Sequence, residues 1–423
     1  MGRLMRWLCR TELFRSIFRH GVPDNPKDRA LVMTAHFLLH LHPVKVKRHG
    51  LRFTYTFGLG GLALGCALIL GFTGVMLMFY YVPSPERAYL DMLNLRQGVP
   101  FGWLFRNLHR WAAQAMVIFV FLHMCRVFYT AAYKGRRKFN WVIGVLLLLT
   151  TLFLSFTGYL LPWDQLAYWA IQVGTGLLAY LPVAGPWLRY LLLGGDTIGA
   201  VALLRFYVLH VVVLPSILLF LMALHFFRVR KDGGISGSPG LEEGAGSGET
   251  ASPAGEIPLG EFGGFDGTGG YLLLGVVEDN PLARGEGEDL VLSFPDLLLR
   301  ELVAFLALVA GLLLLSIFFD APLEGPADPS LTPSPAKAPW YFLWLQELLH
   351  LLPPVVGGVL IPGAAVLSLL LLPYLDRSPF THPSHRAAEI RVFTAGAVVL
   401  LLLILIGAYF RGPGWHWVWP WAR

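Results

Sequence analysis

Four histidines carry the clearest chemistry in this sequence. His109 and His123 stand 14 residues apart and His210 and His225 stand 15 apart, in stretches without Asp or Glu. At about 100° and 1.5 Å per residue, each pair shares one helix face, about 21–23 Å apart along the axis. Two such helices running the same way would level His109 with His210 and His123 with His225. A neutral imidazole offers a metal one nitrogen lone pair. Zinc and non-haem iron sites usually add carboxylate or thiolate ligands. Two imidazoles alone suit six-coordinate haem iron, which takes no further ligand and favours electron transfer. The plainer alternative, histidines hydrogen-bonded within a bundle, explains one histidine more easily than two matched pairs. Gly60 with Gly74 and Gly144 with Gly158 repeat the 14-residue interval. Missing side chains there would let the backbone approach a porphyrin edge, with small-residue helix packing as the alternative. Arg106, Arg110, Arg126 and Arg205 lie within about a turn of the histidines, where they would pair with haem propionates or anchor helix ends.

Such sites need long apolar helices, and the composition provides for them. The 423 residues are 55% hydrophobic and 14% charged, against roughly 25% charged in a soluble domain. Stretches free of Asp, Glu, Lys and Arg run Phe53–Pro85, Trp111–Cys125, Phe139–Trp163, Phe206–Phe227, Leu302–Phe319, Leu348–Leu375 and Val392–Phe410. A helix needs roughly 20 residues to cross about 30 Å of hydrocarbon, and the second stretch reaches that length if it begins near Asn107. The expectation is an all-α integral membrane protein with seven transmembrane helices. Four intramembrane histidines are costly unless something uses them. An eighth charge-free stretch, Gln165–Leu188, contains Gly174, Gly176, Pro182, Gly185 and Pro186. These argue for a short helical hairpin at the membrane surface rather than another span.

The net charge of +6 is unevenly placed. Eleven Lys or Arg fall within residues 1–52, four more are Lys134, Arg136, Arg137 and Lys138, and Arg228, Arg230 and Lys231 follow the fourth stretch. This alternation puts the N-terminus in the cytoplasm and the C-terminus outside. It is a membrane pattern, with no nucleic-acid partner implied. Cys9, Cys66 and Cys125 show neither CxxC nor CxxCH spacing, so no disulfide framework or c-type haem attachment is signalled. No cleavable signal peptide is evident. The expected organisation is a cytoplasmic segment (1–52), a four-helix di-haem domain (53–231), a Gly/Ser/Glu-rich cytoplasmic linker (232–293), a three-helix C-terminal unit (294–411) and an outer-face tail (412–423). His36, His40, His42 and His49 read as surface residues before the first span.

The segments GWLFRNLHRW, FLHMCRV, FTGYLLPWDQLAYWA, RFYVLHVVVLP and HFFRVRKDGGISG resemble cytochrome b of the quinol:cytochrome c reductases, from about residue 55 to 235. FPDLLLREL and KAPWYFLWLQELL extend a looser resemblance to about Phe410. The 15-residue histidine spacing and the ISG look like the photosynthetic branch, in which the four-helix and three-helix halves are separate chains; here both would be fused. The resemblance implies two b haems, on His109/His210 and His123/His225. It also implies a homodimeric respiratory complex in the inner (cytoplasmic) membrane, with a Rieske iron–sulfur protein and a c-type cytochrome. In such a complex, quinol is oxidised at the outer face. One electron goes to the Rieske cluster, the other crosses both haems to an inner quinone site, and protons are translocated. By motif, the outer quinol site would comprise Gly158, Tyr159, Pro162, Trp163, Tyr168, Ala170, Trp340 and Tyr341; for Trp340 and Tyr341 an interfacial aromatic belt is the alternative. A di-haem membrane anchor of a quinone-linked dehydrogenase would lack the GYLLPWDQ segment, the hairpin and the three-helix half. A transporter would more often show internal repeats.

Two departures matter. The family often carries Pro-Glu-Trp-Tyr at the outer site, but here Pro339 precedes Trp340 and Tyr341. The proton acceptor must be another group within hydrogen-bond reach or one water away. Glu347 is the first surrogate, ahead of Asp164 and Asp320. Photosynthetic relatives attach an extra haem through a cysteine that corresponds to Gly58 here, so no covalent haem is expected. Arg228, Lys231 and Asp232 are candidates for the inner quinone site.

Overall fold

The computed structural model describes residues 11, 25–35, 42–232 and 290–422. Most of the linker expected at 232–293, and His36 and His40, lie outside the described residues. Among the described residues, seven helices are long and apolar enough to cross a membrane. They are Leu59–Met78, Gly102–Tyr129, Gly135–Leu160, Ala200–Lys231, Asp296–Phe318, Val355–Leu375 and Pro383–Tyr409. Each pairs its backbone polar groups internally, as hydrocarbon requires. All seven expected spans are present, and the sixth differs at its start. Pro353 and Pro354 interrupt the charge-free stretch, so Leu343–Leu351 forms a separate helix and the span begins at Val355. Proline lacks the N–H and clashes with the preceding turn, which stops the helix.

The chain divides into two compact units. The first combines the described parts of residues 1–57 and 229–302. In it Lys45–Lys47 and Leu290–Leu292 pair as antiparallel strands, over a small core of Val46, Leu51 and Leu297. Three-residue strands are too short to show a period of two. His42 is half-buried here and meets Glu301 at 3.0 Å, so it is a tethered residue rather than a bare surface one.

The second unit holds residues 58–228 and 303–423. Its first two spans pack along their length, with Cys66, Ile69, Ala112 and Met116 joined by Leu218, Leu308 and Leu312. In lipid this packing is driven by close van der Waals contact rather than by exclusion of water. Gly65 shows how close: a Cβ there would lie 2.9 Å from both Phe305 and Leu308.

The expected surface hairpin is present as helices Gln165–Leu178 and Gly185–Leu193. Its break falls at Leu181–Ala184, where Val183 takes a φ of 64°. Gly174 and Gly176 do not break the first helix. A Cβ on Gly174 would lie 2.5 Å from the Phe156 ring, so its missing side chain admits the third span. Asp164 caps this helix, accepting from Ala167 N at 2.8 Å, a common start signal.

The opposite end of the bundle, beside the basic loop between spans two and three, is closed by buried charge. Lys134 donates to Asp376 at 3.1 Å and to the Ser378 and Phe380 carbonyls. Tyr133 donates to Asp376, and Arg386 donates to Tyr133 at 2.8 Å. The Lys134, Asp376 and Arg386 side chains are 7%, 6% and 0% exposed. Burial opposes ionisation of Asp376, but hydrogen bonds from Tyr133 and Lys134 outweigh it and hold the carboxyl below its usual range. Its stabilising contribution is therefore full above the unfolded-state value of about 3.9. It is lost as pH falls through the lower folded value. Asp376→Asn removes the one carboxylate facing two buried cations and should cost about 3–5 kcal/mol. The expected result is a markedly lower thermal midpoint of the purified protein at neutral pH, with the difference from wild type shrinking at acid pH.

Candidate functional site

The histidines meet in the two pairs anticipated. The His109 and His210 rings lie 6.3 Å apart, centre to centre, at 76°, and the His123 and His225 rings 6.4 Å apart at 79°. Imidazole–metal bonds of about 2.0–2.1 Å, with roughly 1.1 Å from nitrogen to ring centre on each side, give about 6.3 Å for two imidazoles on one metal. Each pair therefore has the separation that one iron held between two imidazoles would need. No group of three or more His, Cys, Asp or Glu suited to another metal occurs among the described residues.

The unequal spacing, 14 residues in one helix and 15 in the other, has a local cause. Leu209–Val213 is a π turn containing His210. A π turn bonds i to i+5 and absorbs one extra residue, and such turns often mark functional positions. The extra residue keeps His225 facing its partner at the same separation.

Each of the four glycines lies against an imidazole. A Cβ at Gly60 would sit 3.3 Å from His123, at Gly74 3.3 Å from His109, at Gly144 3.8 Å from His225 and at Gly158 2.5 Å from His210. The neighbouring threonines escaped the sequence reading. Thr73 Oγ1 lies 2.8 Å from His109 Nδ1, and Thr157 Oγ1 lies 3.1 Å from His210 Nδ1. The repeated Phe-Thr-Gly at 72–74 and 156–158 was the signal available.

The arginines divide. Arg106 donates to the Ala321 and Pro322 carbonyls, both at 2.8 Å, and Arg205 donates to the Leu191 carbonyl. These bonds tie both arginines to neighbouring loops. Arg110 stands 5.1 Å above the Tyr159 ring. Arg126 is buried near the basic-loop end. Arg228 donates to the Arg136 carbonyl at 3.1 Å and stacks over Phe139 at 6.0 Å.

At the hairpin end, Tyr159, Trp163, Tyr168 and Ala170 gather in one apolar cluster with Leu160 and Ile171. Pro162 is half-buried between Tyr159 and Trp163. Trp163 adopts a left-handed φ of 54°, which costs a bulky residue about 1–3 kcal/mol and is typical of functional sites. Trp340 Nε1 donates to Gln114 on the second span at 2.6 Å. Tyr341 is buried, its hydroxyl meets Ser155 on the third span, and burial raises its pKa. Gln114 and Ser155 are thus two more polar residues that the sequence reading passed over.

The three surrogate carboxylates are all engaged. Glu347 is 1% exposed and accepts from Arg411 at 2.8 and 2.9 Å and from Trp415 at 2.9 Å. These bonds tie the end of the last span to the Trp340–Leu351 segment. Asp164, whose pKa is raised by burial, accepts from the Ala167 and Glu324 amides. Asp320 accepts from Asn107 and Arg96, which lower its pKa. Glu324 escaped the sequence reading: it is exposed, its amide is held by Asp164, and its charge acts on Tyr159.

Fold and site together define an all-helical integral membrane protein with two stacked bis-imidazole sites. The family model described as cytochrome b/b6/petB matches residues 45–233, and that described as cytochrome b (C-terminal)/b6/petD matches residues 326–420. Cytochrome b6 of Heliomicrobium gestii is 46% identical over 177 residues, 42% of this chain and 83% of that protein. Cytochrome b6 of Synechocystis sp. is 45% identical over 179 residues, 42% of this chain and 80% of that protein. A solved structure titled "Hyperthermophilic respiratory Complex III" aligns with a TM-score of 0.67 and 28% identity, covering 89% of this chain and 90% of that one. The chain belongs to the cytochrome b/b6 family, as the cytochrome b subunit of a bc-type complex. It is accordingly a b-haem protein and a subunit of a membrane oxidoreductase.

The glycine contacts differ enough to test. Gly158→Ala should push the His210 ring aside and reduce bound b haem, whereas Gly144→Ala makes only ordinary contact with His225 and should retain it. Pyridine haemochrome assay of the two purified variants decides the order.

Proposed function

We propose that this chain oxidises quinol at its hairpin face within a respiratory quinol:cytochrome c oxidoreductase and conducts electrons across the membrane on two b haems. The observation that carries this reading is the pair of imidazole sites, with ring separations of 6.3 and 6.4 Å, about 21 Å apart along the helices. His109 with His210 would hold one haem and His123 with His225 the other, with no covalent attachment. Bound there, the haems supply reversible one-electron iron chemistry at two depths. The positive-inside charge pattern assigns the hairpin end to the outer face and the N-terminus to the cytoplasm, in the inner (cytoplasmic) membrane. A Rieske protein, a c-type cytochrome and a second copy of the chain complete the assembly on this reading. The basic-loop end would hold the inner quinone near Arg228, and proton release outside with uptake inside conserves the energy.

At the hairpin face the residues divide the work. The apolar cluster around Tyr159, Trp163 and Tyr168 would take a hydrophobic ring. Tyr341 and Tyr159 bring hydroxyls to it, and Arg110 over Tyr159 adds a positive field. With Pro339 in place of a carboxylate, the acceptor for the departing proton is assigned to Glu324. Among the described residues it is an exposed acid beside Tyr159 with no side-chain hydrogen bond.

Haem quantitation and redox titration of the purified complex should find two b haems per chain at separated potentials, and one haem or none would refute the reading. Glu324→Gln should slow quinol oxidation by roughly 10²-fold, the scale of a general base, with haem content unchanged. Full turnover in that variant would remove Glu324 from the mechanism.

A further inference from the structure

The two imidazole pairs differ in what lies behind the ligands. Thr73 is 0% and Thr157 4% exposed. Thr73 Oγ1 donates to the Ile69 carbonyl at 2.7 Å, and Thr157 Oγ1 donates to the Phe153 carbonyl at 2.9 Å. With its one proton committed to a backbone carbonyl, each hydroxyl meets the imidazole as an acceptor. It therefore takes the Nδ1–H of His109 or His210, which leaves Nε2 bare on both rings. The other pair lacks this arrangement. The residues preceding Gly60 and Gly144 are Leu59 and Ile143, which carry no hydroxyl. His225 faces the Asn140 carbonyl much as His109 and His210 face the Leu70 and Leu154 carbonyls, so the threonine hydroxyls are what set the first pair apart.

We propose that Thr73 and Thr157 are tuning residues that lower the reduction potential of the haem held by His109 and His210. The inference rests on the haem ligation proposed above. An acceptor on Nδ1–H raises the basicity of the ligating nitrogen. A stronger donor favours ferric over ferrous iron, and such outer hydrogen bonds are among the protein's means of setting a haem potential. The threonines sit on spans one and three and act on the two imidazoles that would share one iron, so their effects would have the same sign. The cations near the same site, Arg106 and Arg110, act oppositely but are unchanged in the comparison that tests the threonines.

The test is spectroelectrochemical titration of the b haems in the purified complex, with Thr73→Val, Thr157→Val, the double variant and the corresponding serines. Each valine should raise the potential of one haem by up to tenfold in its redox equilibrium constant, about 59 mV for one electron. The double variant should shift that haem further, the serines should stay near wild type, and the other haem should not move. Ile143→Thr supplies the reciprocal measurement and does not depend on the valine variants keeping haem. It places a hydroxyl before Gly144 and should lower the potential of the His123/His225 haem. Two haems with unmoved potentials in the valine and Ile143→Thr proteins would overturn this inference alone. A wild-type protein without two b haems would instead overturn the ligation on which it rests.

Discussion

The arrangement depends on keeping two imidazoles about 6.3 Å apart, twice, inside an apolar helical bundle. An intramembrane histidine is expensive, and a pair held at metal-bridging distance is more demanding still. The surrounding sequence answers that demand at each ring. Glycine on the neighbouring helix makes room, closely at Gly158 and loosely at Gly144. A π turn at Leu209–Val213 corrects the register of the fourth span. Threonine hydroxyls stand against Nδ1 of both rings at the hairpin-end pair.

Helices do not hold such a geometry through apolar contact alone, since lipid is as apolar as leucine. The directional contacts stand mainly at the ends. At the basic-loop end, Lys134, Asp376, Arg386 and Tyr133 join the loop after span two to the segment between spans six and seven. At the hairpin end, Asn107 and Arg106 hold the chain after span five, and Glu347 with Arg411 holds the last span. The fully buried members are stable because they are paired; each alone would be a severe cost. The two family matches cover residues 45–233 and 326–420 separately, and these contacts show how the two parts are held together.

Much of this was legible because helical periodicity is a strong signal. The histidine intervals, the glycine intervals and all seven spans follow from counting along the chain. What could not be counted was the identity of each residue's neighbour. The glycine intervals show where room is made along the helices, but not that the imidazoles stand within 3.3–3.8 Å of a Cβ at Gly60, Gly74 and Gly144 and 2.5 Å at Gly158. Glu347 looked like a base because it follows Trp340 by two turns, but Arg411, 64 residues further on, claims both its oxygens. Pro353 and Pro354 sat inside an apolar run that hid a helix boundary. The Lys45–Lys47 and Leu290–Leu292 ribbon was too short and too distant in sequence to show.

The two ends of the bundle also carry opposite electrostatic tasks. The basic-loop end encloses two cations around one carboxylate, all but sealed from solvent. The hairpin end encloses a matched anion and cation in Glu347 and Arg411 and leaves an acid, Glu324, exposed at the loop that crosses Asp164. A buried neutralised carboxylate cannot exchange protons without breaking its ion pair, whereas an exposed one can do so with little rearrangement. Proline at position 339 therefore need not abolish proton removal at the hairpin face. On the function proposed, the acid would stand in the preceding loop, exposed to solvent and close enough for its charge to act on Tyr159.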